Sequence, residues 1–413
     1  MSTPAPPSAP APDSAAAHGP LAGITRNVAA LGVVSLLTDV SSEMIIPVLP
    51  IFVTVTLRAS MASLGMIEGV AESTASILRI ASGWLSDRVG RRKPFIVFGY
   101  GVSVVAKAGL VGATAWPAVL GLRFIERVGK GLRSPPRDAL LADSAAPEHR
   151  GRAFGFHRSM DTLGAAIGPL MAFALLTRHP ADFRRVFGVA VVPAVISVLV
   201  LILFVRSPRH QPAAGRSLAR EWSALGAPLK RFLFADAIFQ LGNSSMAFVL
   251  LRQRDVGFSP GQVTLVYFGY NVIFALLALP LGGLSDRFGR RPLILGGYLI
   301  YALAYGLLGA THQRLAAALA LSVLGLHSAL VEGQQRSLVA DLTPADRRAT
   351  AFGAYYTVVG LALLPASIVA GLLWERLGAR VTFGVDAALA LAAAASFLVL
   401  VPLSAEKRDR DAA

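Results

Sequence analysis

Gly83-Trp84-Leu85-Ser86-Asp87-Arg88-Val89-Gly90-Arg91-Arg92-Lys93 returns later in the chain as Gly282-Gly283-Leu284-Ser285-Asp286-Arg287-Phe288-Gly289-Arg290-Arg291. Each copy lies between two long apolar segments, so each reads as a tight basic loop joining two membrane helices. Gly90 and Gly289 permit the turn, and the arginines after them mark the loops as cytoplasmic. The repeat runs past the loops. Asp87 and Asp286 are 199 residues apart, while Ala142-Asp143 matches Ala340-Asp341, and Ala153-Phe154-Gly155 matches Ala351-Phe352-Gly353, at a separation of 198. The extra Lys93 in the first loop accounts for the change of one. Two similar halves in the same orientation are what a parallel-repeat transporter should have, with the substrate path between them.

Composition sets the same frame. Of 413 residues, 54% are hydrophobic and only 15% charged, with a mean hydropathy of +0.59; this is too apolar for a soluble chain of that length. Twelve spans of about 20 to 25 residues fit the length with short connections. They are expected near 27–57, 60–84, 94–114, 117–138, 151–176, 186–205, 230–251, 260–284, 292–310, 315–340, 350–373 and 381–402. The fold class is an all-α membrane protein with twelve transmembrane helices in two pseudo-symmetric six-helix bundles. Residues 1–25 read as a disordered Pro/Ala-rich tail without a signal-peptide pattern, 26–205 as the first bundle and 206–229 as a basic linker with Trp222 that suits a lipid surface. Residues 230–403 read as the second bundle and 404–413 as a cytoplasmic tail.

A formal charge of +15 in a soluble chain would suggest nucleic acid. Here its placement matters more: about 18 Lys/Arg fall on the side holding both loops and both termini, against about 9 on the other. That side is expected to be cytoplasmic, in the plasma or inner membrane, with no nucleic-acid partner. The chain has no cysteine, so neither a disulfide framework nor a thiolate metal site arises. No His/Glu cluster has metal-ligand spacing, no nucleophile elbow or phosphate-cradling loop is present, and neither an enzyme nor a cofactor is expected.

An ionisable side chain inside a span costs about 2.5 to 3.5 kcal/mol on insertion scales, so each needs a partner, a wet cavity or a function. Span 1 carries Asp39 and Glu43 and span 2 carries Glu68 and Glu72, each pair four apart on one helix face, with Arg79 two turns beyond. Span 4 carries Arg123, Arg127, Lys130, Arg133 and Arg137 with Glu126 and Asp138. At about 100° per residue its five cations fall within an arc of about 120°. Such a stripe must face a cavity or neighbouring carboxylates. Arg158 and Asp161 on span 5 can pair with each other or with charges on spans 1 and 4. The second half is plainer: Asp236, Gln240 and Asn243 on span 7, and Glu332 and Arg336 on span 10, spaced to pair.

The loop pattern of Gly83, Asp87, Arg88, Gly90, Arg91 and Arg92, repeated at Gly282, Asp286, Arg287, Gly289, Arg290 and Arg291, resembles that of the Major Facilitator Superfamily. Span 4 resembles the family's fourth-helix pattern through Arg123, Gly129 and Pro135, with Arg127 standing where the family has a glycine. Gly164, Gly168 and Pro169 on span 5 resemble part of the antiporter pattern, a close-packing and kink motif; Ala172 and Phe173 replace its final glycines. The resemblance covers residues 25 to 403. It implies two bundles alternating access to a central site, Arg123 near the proton-carrying carboxylates, and a loop aspartate and arginine that hold the halves together on the cytoplasmic side.

The expected function is secondary active transport of a small molecule, with protons as coupling ion, export as direction, an anionic substrate and a monomer as working unit. Asp39, Glu43, Glu68 and Glu72 are the proton-carrier candidates, Asp39 foremost, and Arg127 is the sharpest candidate for an anion contact because Gly325 stands at its place in the second half. Hydrophobic-drug efflux, proton-coupled import and a non-transporting sensor on the same fold remain open alternatives.

Overall fold

The computed structural model describes residues 24–89, 91–146, 149–206, 225–344 and 347–401; at 80, 83, 84, 87, 286, 348 and 349 it describes the backbone only. Among the described residues there is no strand, and the chain forms twelve helices. In the first half these are α1 (Arg26–Thr56), α2 (Met61–Val89), α3 (Lys93–Gly112), α4 (Trp116–Asp143), α5 (Arg150–Arg178) and α6 (Phe183–Phe204). The second half has α7 (Ala227–Asp255), α8 (Pro260–Phe288), α9 (Arg290–Ala310), α10 (Arg314–Asp341), α11 (Arg348–Leu377) and α12 (Ala379–Leu400). Ten are long and apolar enough to cross a membrane. The other two are α2 and α4, the helices in which the sequence concentrates charge.

Local chemistry explains the ends and breaks. Ser259 and Gln262 form a reciprocal capping box at the start of α8. Gly289, the turn glycine of the second loop, has φ +88°, a conformation that other residues adopt only with strain; Gly90 lies outside the described residues. As Pro47 and Pro50 lead one to expect, the regular part of α1 ends at Ile45, and the chain continues through Leu49–Ile51 and a π-helical turn, Phe52–Thr56. A matching break that the sequence reading overlooked divides α7 into Ala227–Leu241 and Met246–Asp255. Its 242–245 segment frees backbone carbonyls in mid-span, and Tyr301 donates to that of Gly242 at 2.9 Å.

The loop arginines have a use in both halves. Arg92 binds Asp143 and Arg290 binds Asp341, which explains why Ala142-Asp143 and Ala340-Asp341 recur at the same offset. Lys93 Nζ donates to the carbonyls of Ile202 and Val205 at 2.9 and 2.7 Å, capping the end of α6.

The halves meet along α2 against α11 and α5 against α8. Gly65, Gly69 and Gly371 let backbones touch: a Cβ at Gly65 would lie 2.2 Å from the Ser367 carbonyl oxygen, and one at Gly371 would lie 2.4 Å from that of Met61. Ser73 donates to the Gly360 carbonyl across the same seam at 2.5 Å. This seam lies toward the ends of the helices remote from the Gly-Arg-Arg loops. On the loop side of it the halves enclose a cavity whose lining residues Arg158 and Arg336 are exposed, so the cavity opens toward the loops. Segments 207–224, which include Trp222 and most of the basic linker, and 402–413 lie outside the described residues.

Candidate functional site

The cavity has a volume of about 620 Å³ and is lined by both halves, a size suited to a small organic molecule. Of the sequence-derived candidates it brings together Glu68, Glu72, Arg123, Arg127, Lys130 and Arg158 from the first half, and Gln240, Asn243, Glu332 and Arg336 from the second. Asp161 and Asp236 do not line it.

The stripe on α4 does not act as one surface. Arg123 donates to Glu68 at 3.1 Å and to Glu126 at 2.9 Å. Arg127 pairs with Glu72 at 2.7 Å and lies 3.6 Å from Glu126. Arg133 turns to α3, where it donates to Ser103 at 2.6 Å and lies over the Tyr100 ring at 4.3 Å, and Arg137 holds its neighbour Asp138 at 2.8 Å. Among the described residues Lys130 and Arg133 have no carboxylate within 4.0 Å, and of the two only Lys130 lines the cavity. Close packing makes this arrangement possible: a Cβ at Gly129 would lie 2.4 Å from the Gly99 carbonyl oxygen, and one at Gly131 would lie 2.6 Å from the Leu78 side chain.

The four first-half carboxylates therefore divide. Glu68 and Glu72 are held in ion pairs. Asp39 and Glu43 have no cation within 4.0 Å, and line a separate chamber of about 60 Å³ with Lys107, Glu126, Lys130 and Arg133. Arg123, for which the family resemblance implies proximity to Asp39, lines the same chamber, with its guanidinium engaged by Glu68 and Glu126. Asn271 of α8 stands 3.5 Å from Glu43 and 3.0 Å from the Ala165 carbonyl, joining α1, α5 and α8 at this point. The small residues on α5 are seated against both carboxylate positions, since a Cβ at Gly164 would lie 2.8 Å from Asp39 Cβ and one at Gly168 would lie 2.7 Å from Glu43 Cβ. Lys107 was missed at the sequence level, although a lone lysine inside an apolar span is a signal of the kind used for the others. Its buried Nζ donates to Ser41 and Ser42 of α1 at 2.9 Å each.

Two pairings open in the sequence are not formed. Asp161 accepts from Ser35 and has His157 at 3.5 Å, while Arg158 lies 5.1 Å over the Phe274 ring, across the seam. Arg336 Nε donates to the Glu332 main-chain carbonyl at 3.0 Å, and the expected side-chain ion pair between them is absent among the described residues. In the second half Asp236 is fully buried behind the cavity wall, held by neutral donors: Gln335 at 2.6 Å, Tyr298 at 3.0 Å and Gln240 at 3.3 Å. Asn243 donates to Gln240 at 3.0 Å, and Asp386 of α12 accepts from Ser244 at 2.6 Å.

Comparison with known proteins gives one match for each half: a family model described as the Major Facilitator Superfamily covers residues 31–249 and again 232–413. The chain belongs to the Major Facilitator Superfamily. It is 35% identical over 377 residues to an uncharacterized MFS-type transporter of Methanocaldococcus jannaschii, covering 89% of this chain and 93% of the relative. It is 28% identical over 308 residues to the multidrug resistance protein MdtH of Salmonella arizonae, covering 72% and 73%. A "Probable 4-methylmuconolactone transporter" of Cupriavidus pinatubonensis is 29% identical over 384 residues, covering 84% of each. Among solved structures, the nucleoside transporter NupG superposes with a TM-score of 0.78 at 13% identity, over 91% of this chain and 99% of that one. A bacterial homolog of the lysosomal transporter Spinster in an inward-facing conformation gives 0.73 at 17% identity, over 91% and 96%. At such identities the likeness concerns the fold.

As an MFS member the chain keeps the loop pattern in both halves. The side chains of Asp87 and Asp286 lie outside the described residues; the loop contacts described above are those of Arg92 with Asp143 and of Arg290 with Asp341. At Arg127, where the MFS pattern has glycine, the extra cation is matched by Glu72. Arg127→Gln is accordingly expected to destabilise the fold by about 1 to 3 kcal/mol, since buried Glu126 keeps only Arg123 while Glu72, 37% exposed, stays solvated, and to weaken binding of an anion less than Lys130→Gln does. Thermal unfolding and ligand titration of both variants side by side check this; equal stability with a larger affinity loss at Arg127 would reverse the assignment.

Proposed function

We propose that this MFS member is a secondary active transporter that carries a small anionic molecule across the cell membrane by alternating access, driven by protons and working outward. The observation that carries proton coupling is the division of the carboxylates. Protonating Glu68 or Glu72 breaks an ion pair, whereas Asp39 and Glu43 can take up and release a proton without breaking one. They sit on α1, seated against the small residues of α5 and beside a chamber adjoining the substrate cavity, where a change in charge is felt by both. Negative charge on the substrate is favoured because six cationic side chains line the cavity against three carboxylates. Export is favoured by the partial antiporter motif at Gly164, Gly168 and Pro169 and by the multidrug relative. With both termini cytoplasmic, the loop end faces the cytoplasm and the cavity is open to it. The chain works as a monomer within the lipid bilayer.

The test begins with a thermal-shift screen of metabolites and drugs on purified protein, because a ligand of the folded state raises its apparent stability. Solutes that stabilise are then followed by counterflow in proteoliposomes. The expected result is labelled exchange in the wild type and accumulation that collapses with a protonophore. Asp39→Asn is expected to retain exchange and lose proton-driven accumulation. Transport indifferent to the pH gradient removes the proton, and absence of any exchange leaves a sensor on the same fold. Efflux of uncharged aromatic drugs is the second reading, favoured by the tyrosines of the cavity wall.

A further inference from the structure

The cavity has two chemically different walls, and each comes from a different half. The first half supplies Arg79, Arg123, Arg127, Lys130 and Arg158 and no aromatic ring. The second supplies Tyr267, Tyr270, Tyr301, Tyr305, Tyr355 and Tyr356, with Arg336 as its one cation among the lining residues.

Not every cation is available. Arg123 and Arg127 are held by Glu68, Glu72 and Glu126. Of the other four, none has a carboxylate within 4.0 Å among the described residues; Arg158 and Arg336 are exposed, whereas Arg79 and Lys130 are half-buried, and the Arg79 guanidinium lies 5.5 Å over the Tyr356 ring with its Nε buried and without a hydrogen-bond partner. The tyrosine hydroxyls are largely engaged within the protein. Tyr301 donates to Gly242 O at 2.9 Å, Tyr270 shares a hydrogen bond with Ser328 at 2.9 Å, and Tyr355 donates to Gln335 at 3.0 Å. What remains for a ligand is ring surface. Tyr301 and Tyr305 stack at 4.0 Å and Tyr267 and Tyr270 at 5.6 Å, while Tyr270 and Tyr356 keep part of their surface open.

We infer that the cavity takes an aromatic carboxylate, its anionic group on Lys130 and Arg79 and its ring on Tyr356 and Tyr270. A carboxylate satisfies two half-buried cations that have no carboxylate within 4.0 Å. A planar ring adds the stacking that aromatic side chains give beyond their area. A neutral aromatic leaves the two charges uncompensated, an aliphatic anion forgoes the stacking, and a cationic drug is repelled. The assignment rests on the reading of this cavity as the transport site. Its consequence for transport is that such a molecule bridges the two halves, touching the cationic wall of one and the ring wall of the other.

The test is equilibrium binding to the full chain in lipid nanodiscs at fixed ionic strength, with 2-naphthoate, its neutral isostere 2-naphthamide, and octanoate. The expected result is 2-naphthoate bound at least about tenfold more tightly than either of the others. Lys130→Gln should level naphthoate with naphthamide and leave the preference over octanoate. Tyr356→Leu should level naphthoate with octanoate, and Tyr356→Phe, which keeps the ring, should retain the wild-type order and guard against a folding artefact. Naphthamide or octanoate binding as tightly as naphthoate in the wild type, or no naphthoate binding, overturns the assignment. The two readings fail separately: exchange of a non-aromatic or cationic solute in counterflow keeps the transporter and removes this substrate class, whereas naphthoate binding with no exchange of any solute keeps the site and removes transport.

Discussion

Gly65→Ala is expected to leave each half folded and to shift the protein away from the state in which the ends remote from the loops are closed. Within a helix, alanine is favoured over glycine by about 1 kcal/mol, so α2 itself gains. The cost falls on the seam. The added Cβ would stand 2.2 Å from the Ser367 carbonyl oxygen of α11, and a backbone atom cannot turn aside as a side chain can. Overpacking of this kind costs about 1 to 3 kcal/mol, which moves a two-state equilibrium by about 5- to 150-fold. The absence of cysteine from all 413 residues makes the readout direct. A single Ala62→Cys reporter, beside the hydrogen bond from Ala62 N to Glu375 at 3.1 Å, should be alkylated faster by a membrane-impermeant maleimide in the Gly65→Ala background. Solute exchange in proteoliposomes should fall about tenfold in parallel. Unchanged alkylation and exchange would mean that this seam is not a gate.

Glu126→Gln is expected to lower stability by about 3 to 5 kcal/mol, because it leaves two buried guanidinium groups short of a shared counter-charge. Glu126 lies between Arg123 and Arg127, with only 10% of its side chain exposed. Glu72, which also pairs with Arg127, is 37% exposed. For Glu72→Gln the loss should be about 0 to 1 kcal/mol, since a solvated ion pair contributes little. Thermal unfolding of the two single variants in the same detergent gives the comparison. An equal loss at both positions would mean that the network is wetter than its geometry implies. Combining Glu126→Gln with Arg127→Gln should recover part of the loss, since the double variant removes a charge of each sign.

The architecture could be read from the sequence because it rests on local signals. Ten apolar runs, the duplicated Gly-Arg-Arg loop and the 198-residue offset each depend on neighbours along the chain, and a membrane leaves helices as the only way to satisfy such runs. The prolines at 47 and 50 announced the break in α1. The corresponding break in α7 carried a weaker cue, since Gly242 and Asn243 fit a helix interior as readily as a turn until Tyr301 is seen donating to the Gly242 carbonyl.

Partner choice was the part that only tertiary structure decided. The spacing on α4 placed five cations on one face, yet spacing within a helix says nothing about what stands opposite. Arg123 and Arg127 face carboxylates of α2, Arg133 faces α3, and Lys130 faces none, which moves the open cation of the stripe from Arg127 to Lys130. Asp39, Glu43, Glu68 and Glu72 looked equivalent in sequence for the same reason, and it is the packing of α1 on α5 and of α2 beside α4 that makes two of them unpaired and two of them bound. A charge inside a bilayer is legible from one chain position, because its cost depends on burial alone. What offsets that cost is a second group far away in the sequence, and only the fold brings it within 4 Å.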